Sequence, residues 1–183
     1  DAINTILKAI EIEPNNAELH FIAGVFYDDA KMADKVIEQM KIAIKLNPEH
    51  ANALNYLGYT WVDQGVRLDE ARRMIQRAVE LRPNDGYIVD SLGWVLYRLG
   101  RFPEAVGYLE RAVELRPEDP LINDHLGDAY WRVGRLAEAR FQWRRALNLK
   151  PEPDLIPLIR DKLDAGLAAP SSAAVKRSGR NGG

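Results

Sequence analysis

The chain has 183 residues, a net charge of −2, 46% hydrophobic and 28% charged side chains, and no cysteine. The lack of cysteine excludes disulfides, thiol chemistry and cysteine-containing metal sites. No run approaches the roughly 18 apolar residues that span a bilayer, so we expect a soluble protein without direct membrane insertion. Three of the 25 basic residues lie in an acid-free tail from Pro170, so the remaining chain is more acidic than its net charge suggests, which argues against nucleic acid as a partner.

The first predicted element is a helix in residues 1–14. Ile3, Ile6 and Ile10 recur at helical spacing, and Pro14 closes the segment. We interpret it as the second helix of a truncated repeat whose first helix lies outside the sequence. Because the chain also opens without Met, we expect a processed or excised piece, in which the inner face of this helix lacks a partner.

Closing prolines then recur every 34 or 35 residues, at Pro14, Pro48, Pro83, Pro117 and Pro151. Between successive prolines the apolar spacing predicts two helices joined by a short turn. The predicted helix pairs are 17–30 with 33–47, 51–64 with 68–81, 86–99 with 102–115, and 120–133 with 136–149. They divide residues 15–152 into four repeats, at 17–50, 51–85, 86–119 and 120–152.

Small residues occupy fixed positions in these repeats. A Leu-Gly pair stands at the seventh and eighth positions, Gly at the fifteenth, and Ala at the twentieth and twenty-seventh. The pairs are Leu57-Gly58, Leu92-Gly93 and Leu126-Gly127, and the turn glycines are Gly65, Gly100 and Gly134. We expect the first set of glycines to allow close helix approach and the second to supply the positive φ that ends a helix. Val66 is one extra residue after a turn, and the first repeat matches least well because Lys31 and Val36 replace Gly and Ala.

This pattern resembles the tetratricopeptide repeat (TPR) family, across about four full repeats. The resemblance implies an all-α fold, a right-handed TPR superhelix (α-solenoid) of antiparallel helix pairs. Residues 153–168 are predicted to form a C-terminal capping helix, with Asp154 as its N-cap and Pro157 in its first turn. Residues 169–183, rich in Ser, Ala and Gly, are predicted to be a disordered tail.

Catalytic motifs do not appear in the sequence. It contains no glycine-rich phosphate loop, nucleophile elbow or HExxH pattern. His20, His50 and His125 fall in repeats too far apart to share a metal, and we expect His125 to be a solvated histidine of a groove. We therefore predict no enzyme activity, no cofactor and no metal site.

The resemblance implies instead that the first helices of the repeats line a concave groove that binds another protein. Trp61 and Trp143 occupy core positions, whereas aromatic side chains in the groove alternate with Asn and Asp, which suits a peptide ligand. We predict that Trp94 is an anchor whose loss weakens binding but hardly affects stability. The groove residues so assigned are Asn52, Asn55, Tyr56, Tyr59, Tyr87, Asp90, Trp94, Tyr97, Arg98, Asp124, His125, Asp128, Trp131 and Arg132.

The predicted partner is an extended or helical segment of neutral or basic character, because several of these residues are acidic. The positions that clamp a heat-shock chaperone's C-terminal carboxylate in similar proteins here hold residues that cannot neutralise it. Two alternatives stay open: a self-assembly module, a homo-oligomer built through the open helix of residues 1–14 and the C-terminal helix, and a regulatory segment of a larger enzyme. The sequences of the last two repeats look like those of bacterial TPR proteins. This resemblance favours a location on the periplasmic side of a cell envelope, with the cytoplasm as the alternative.

Overall fold

The computed structural model describes residues 2–169, and these residues form ten α-helices and no strand. The fold class is therefore all-α, as predicted. The tail predicted to be disordered, apart from Ala169, lies outside the described residues, as does the first residue. The helices are α1 (Ala2–Ile12), α2 (Ala17–Asp29), α3 (Ala33–Leu46), α4 (Ala51–Asp63), α5 (Leu68–Leu81), α6 (Gly86–Arg98), α7 (Phe102–Leu115), α8 (Pro120–Arg132), α9 (Leu136–Asn148) and α10 (Leu155–Ala165).

The chain divides into two compact units, Asp1–Pro83 and Asn84–Gly183. We call them the N-terminal unit, which holds α1 to α5, and the C-terminal unit, which holds α6 to α10. In both, consecutive helices pack in pairs, α2 with α3 and α4 with α5 in one, α6 with α7 and α8 with α9 in the other. The helix ends of these four pairs lie within one residue of the predicted ones.

Helix crossings in the N-terminal unit depend on small residues. A Cβ atom built on Gly58 would lie 2.7 Å from Cγ1 of Ile75, which is too close for any side chain. Ala71 and Ala78 on α5 are fully buried, and Trp61 is 5% exposed, so its predicted place in the core is confirmed. The helices of this pair approach closely because hydrogen atoms and methyl groups stand where larger side chains would separate them.

The C-terminal unit repeats this arrangement, and one of the side chains that face its crossing glycines is a tryptophan. A Cβ on Gly93 would lie 2.6 Å from Leu109, and one on Gly127 would lie 2.5 Å from the indole of Trp143. Trp143 is fully buried, as predicted, and its Nε1 donates a hydrogen bond to Asp128 at 2.9 Å. The indole of the second helix thus fills the space beside the glycine and also fixes a carboxylate of the first helix.

Turns and caps set the ends of the helices. The turn glycines Gly65, Gly100 and Gly134 have φ of 68°, 78° and 82°, as predicted, while Lys31 takes the same left-handed conformation with φ of 59°. The side chain before each first helix accepts a hydrogen bond from the opening amides of that helix. These capping side chains are Asn16, His50, Asp85 and Asp119.

Helix α10 packs against α9 at the end of the described chain. Ile159 is fully buried, and the Arg140 guanidinium of α9 donates a hydrogen bond to the backbone carbonyl of Leu163. Asp154 stands directly before the helix, but its side chain makes no capping hydrogen bond within the described residues, contrary to the sequence expectation.

Candidate functional site

The first-helix face of the N-terminal unit lies on α2 and α4. Four predicted groove residues, Asn52, Asn55, Tyr56 and Tyr59, lie on α4 and are all half-buried. The Tyr56 hydroxyl donates a hydrogen bond to Asp28 at 2.7 Å, and burial together with this carboxylate raises the pKa of Tyr56 above its ordinary value. The phenol is therefore neutral and held in one orientation.

Side-chain amides continue this face. Asn52 accepts a hydrogen bond of 2.5 Å from the Arg82 guanidinium. The Oδ1 atom of Asn55 is buried and has no hydrogen-bond partner among residues 2–169. A buried acceptor without a donor is unfavourable, so the fold leaves the polar side chain of Asn55 incompletely satisfied.

An open cleft of about 360 Å³ lies beside the same residues, where α4 begins. His50 there lies 3.1 Å from the Glu18 carboxylate, and its ring packs on Phe21 with centroids 5.1 Å apart. Both charge signs line this cleft, which suits polar side chains of a peptide. The lining residues are Glu18, Asn47, Glu49, His50, Ala51, Asn52, Leu81 and Arg82.

In the C-terminal unit, three predicted groove residues form a stack of rings. Trp94 stacks on Tyr97 with centroids 4.7 Å apart and on His125 with centroids 4.0 Å apart. The Nδ1 atom of His125 lies 3.0 Å from both carboxylate oxygens of Asp90. His125 is 4% exposed and Asp90 5%, so the expectation of a solvated histidine was wrong.

The charge on His125 follows from its neighbours. Burial alone would lower its pKa, but the carboxylates of Asp90, Asp124 and Asp128 outweigh burial, and the pKa of His125 is raised above 6.5. The fold therefore holds the His125 proton more tightly than water would. A cation stacked on the Trp94 indole also gains from the negative face of the ring.

Asp124 and Asp128 lie one turn apart on α8 and share one lysine of α10. Lys162 Nζ lies 2.7 Å from Asp124 and 2.8 Å from Asp128, and the lysine side chain is only 16% exposed. Burial lowers the pKa of Lys162, but the two carboxylates outweigh burial and raise the pKa overall. Burial and the charge of Asp124 raise the pKa of Asp128 to about 6, although Lys162 opposes the shift.

The other two predicted groove residues of α8 contact the chain just beyond α10. A Cβ on Gly166 would lie 2.1 Å from the Trp131 indole, so this glycine lies directly against the ring. The Arg132 guanidinium donates hydrogen bonds to the Ala168 carbonyl and, at 3.2 Å, to the Tyr97 hydroxyl. Residues 155–169 therefore occupy the part of the first-helix face formed by Asp124, Asp128, Trp131 and Arg132.

The accessible part of this face is elsewhere on α6. Tyr87 is 50% exposed, with the Arg116 guanidinium 4.7 Å from its ring centroid, and Arg98 is half-buried.

Sequence reasoning missed Lys162 and Gly166 as contacts of α8. The sequence did carry a signal for the Lys162 contact. Lys162 lies one turn beyond the apolar Ile159, on a helix that was expected only to cap the fold.

In the described part of the chain, no three His, Asp or Glu side chains are arranged to hold a metal ion. None of the helices within residues 2–169 combines the length and the apolar character of a membrane span.

Paired helices with small residues at each crossing and a left-handed turn residue inside each pair define an α-helical repeat protein. The tetratricopeptide repeat family model matches residues 37–86 and 91–151. The chain therefore belongs to the TPR family, and the resemblance found in the sequence is confirmed.

Relatives and solved structures agree with this assignment. A TPR repeat-containing protein of Pseudomonas aeruginosa is 33% identical over 107 residues, which cover 58% of this chain and 18% of that protein. Tetratricopeptide repeat protein 14 of Mus musculus is 35% identical over 75 residues, 41% of this chain and 10% of that protein. The chain thus spans less than a fifth of the length of these relatives.

Among solved structures, MamA superposes with a TM-score of 0.67 at 25% identity, covering 81% of this chain and 86% of MamA. The Pseudomonas aeruginosa pilF structure superposes with a TM-score of 0.72 at 21% identity, covering 86% of this chain and 72% of its own. At such identities the likeness to pilF concerns the fold alone.

Proposed function

We propose that this chain is an interaction scaffold that holds a segment of another protein against the first-helix faces, and that it acts by binding rather than by catalysis. The observation that carries the proposal is the α4 face, where aromatic rings and side-chain amides stay half-exposed. Rings provide broad apolar contact, and amides hydrogen-bond to a peptide backbone.

The character of the ligand follows from the charges that remain accessible. In the N-terminal unit, Asp28 and Asp29 are exposed at the end of α2. Asp28 accepts a hydrogen bond from the Tyr56 hydroxyl. An extended or helical segment of neutral or basic character suits this face. This face does not suit the C-terminal carboxylate of a heat-shock chaperone, because no lysine or arginine occupies the groove positions of α2 and α4.

Site-specific photocrosslinking tests the proposal. A photoreactive phenylalanine is placed at Tyr59 or Tyr87 on first helices, and at Phe141, which is 58% exposed on the second helix α9, as the matched control. We expect one partner to crosslink from Tyr59 or Tyr87 and not from Phe141. With that partner purified, Asn55→Ala or Tyr87→Ala should weaken binding about tenfold, with unfolding unchanged. Equal crosslinking from Phe141 would contradict the proposal.

Self-assembly is the second candidate, and exposed apolar residues favour it. Ile12 on α1 is 81% exposed and Leu158 on α10 is 56% exposed, so each end of the described chain presents an apolar side chain. Such an assembly would give a mass that rises with concentration in light scattering, and Leu158→Ser should abolish the rise. A mass independent of concentration would remove this candidate.

Two wider parts of the proposal depend on a longer protein. The third candidate function is a regulatory segment of a larger enzyme. This candidate is compatible with the comparisons, because the matched residues cover only a small share of the relatives' length. A full-length reading frame with a catalytic domain would establish it. Placement on the periplasmic side of a bacterial envelope would be tested by fractionating cells that produce the full-length protein.

A further inference from the structure

The α8 site consists of Asp124, Asp128, Trp131 and Arg132, and residues 155–169 of the same chain fill it. We infer that this site is a receptor for a lysine-bearing helix of a partner protein, and that residues 155–169 occupy it as an intramolecular competitor. The inference rests on the proposed function and names the class of partner for the first-helix face of the C-terminal unit.

The two carboxylates require a cation. Asp124 is 3% exposed and Asp128 5%, so neither is well hydrated, and Lys162 Nζ contacts both, at 2.7 and 2.8 Å. A neutral side chain in place of the lysine would remove the cation that contacts both of these adjacent buried carboxylates, which is strongly unfavourable. The site therefore discriminates for a helix with a lysine at this position.

The remaining contacts select the end of that helix. Gly166 follows Lys162 by four residues, has φ of 72°, and leaves no room for a Cβ against Trp131. Arg140 and Arg132 donate to the backbone carbonyls of Leu163 and Ala168, contacts that any sequence can make. The structure thus defines a recognisable pattern, a lysine followed four residues later by a glycine that ends the helix.

Residues 155–169 do not saturate the site. The Oδ1 atom of Asp124 is buried and accepts no hydrogen bond from any described residue. In addition, Ile159 is the only side chain of α10 that is buried, as far as the chain is described, whereas nine residues of α8 are. A partner helix that adds a donor for Asp124 or more apolar contact would displace α10, because little apolar area holds α10 in place.

A synthetic peptide of residues 153–169, labelled with fluorescein, tests the inference against the whole chain by fluorescence anisotropy. The chain variants Lys162→Met and Gly166→Ala each weaken the internal occupant, the first by removing the cation and the second by a clash with Trp131. We expect the peptide to bind both variants about tenfold more tightly than it binds the wild-type chain. The peptide carrying Lys162→Met should bind about tenfold more weakly than the native peptide.

The matched control peptide carries Arg160→Ala, on the exposed side of the same helix, and should bind as the native peptide does. Circular dichroism shows whether the two chain variants are folded. Each variant tests the inference independently of the other. Absence of saturable binding to both variants, or equal binding of the Lys162→Met peptide, would overturn the inference. So would a concentration-dependent mass of the wild-type chain that Lys162→Met abolishes, because the occupant would then be a second copy.

The two proposals fail separately. If the peptide does not bind while Tyr59 or Tyr87 still crosslinks a partner, the scaffold function stands and the α8 site is only an internal contact. If the peptide binds while neither position crosslinks, the α8 site is a helix receptor and the faces around Tyr59 and Tyr87 are not used.

Discussion

At Gly127 a hydrogen atom in place of a methyl group allows α8 to lie against α9. Gly127→Ala would place a Cβ 2.5 Å from the Trp143 indole, which is fully buried and cannot move aside. We expect a loss of about 1–3 kcal/mol in the free energy of unfolding, measured with urea. Gly107→Ala on α7 is the control, because no described atom lies within 4 Å of its Cβ, and it should gain about 0.5–1 kcal/mol. Shifts of the same sign in both variants would contradict this account.

Trp94 is the residue for which sequence and structure give different expectations. The sequence suggested an anchor whose loss hardly affects stability, but the indole stacks on both Tyr97 and His125. We therefore expect Trp94→Ala to lower the free energy of unfolding by about 2 kcal/mol, because two ring contacts are lost. Tyr87→Ala, at a side chain that is 50% exposed, should change it by less than about 0.5 kcal/mol. A Trp94→Ala variant as stable as Tyr87→Ala would instead support the sequence-based prediction that Trp94 is a binding anchor with little effect on stability.

At the scale of helices, the sequence was sufficient for the elements and their pairing. The period of the closing prolines, the glycines at the crossings and the capping side chains such as Asp85 all act within one repeat, so a local pattern encodes them. The contacts of His125 with Asp90 and of Lys162 with Asp124 join residues 35 and 38 positions apart. They connect α6 with α8 and α8 with α10, which are not helices of one pair, so no rule for a single helix pair specifies them. This is why the helices were predictable and the filling of the α8 site was not.

These contacts make the junction of α6, α8 and α10 sensitive to pH. His125 has a folded pKa above 6.5, so its contribution to stability is present below pH 6.5 and is lost as the pH rises through the folded value. Asp128, with a pKa of about 6 against an ordinary 3.8, also binds its proton more tightly in the folded state, so its contribution is lost as the pH rises towards 6. The melting temperature should therefore fall by a few degrees between about pH 5 and about pH 8.

Two variants test the contributions. His125→Asn should reduce the fall above pH 6.5 and Asp128→Asn the fall below about pH 6, and each change also shifts the pKa of the other group because the two interact. The groups that face this junction are Asp90 on α6, Asp124 on α8 and Lys162 on α10, and each stays in both variants. A wild-type melting temperature that does not change over this range, or full pH dependence in both variants, would show that the junction does not titrate in the manner described.

At the scale of the whole molecule, repeat proteins distribute stability as a sum over neighbouring helices rather than placing it in one core. The buried side chains are unequally shared: α6 and α8 each bury nine residues, whereas α1 buries Ile6 alone and α10 Ile159 alone within the described chain. Helices with so little buried surface open more readily than those between two neighbours. Opening of α10 is also the step that the α8 site needs in order to receive a partner helix.

Hydrogen exchange followed by mass spectrometry measures this distribution directly. Amides of α1 and α10 should exchange at least about tenfold faster than those of α6 and α8, because local opening exposes little apolar surface in the first pair. Lys162→Met should accelerate exchange in α10 further and leave α2 and α3 unchanged, since its ion pairs reach only α8. Arg160→Ala on the same helix should leave all rates close to wild type. A single exchange rate for every helix would mean that the chain opens as one cooperative body, and α10 would then not be free to leave the α8 site by itself.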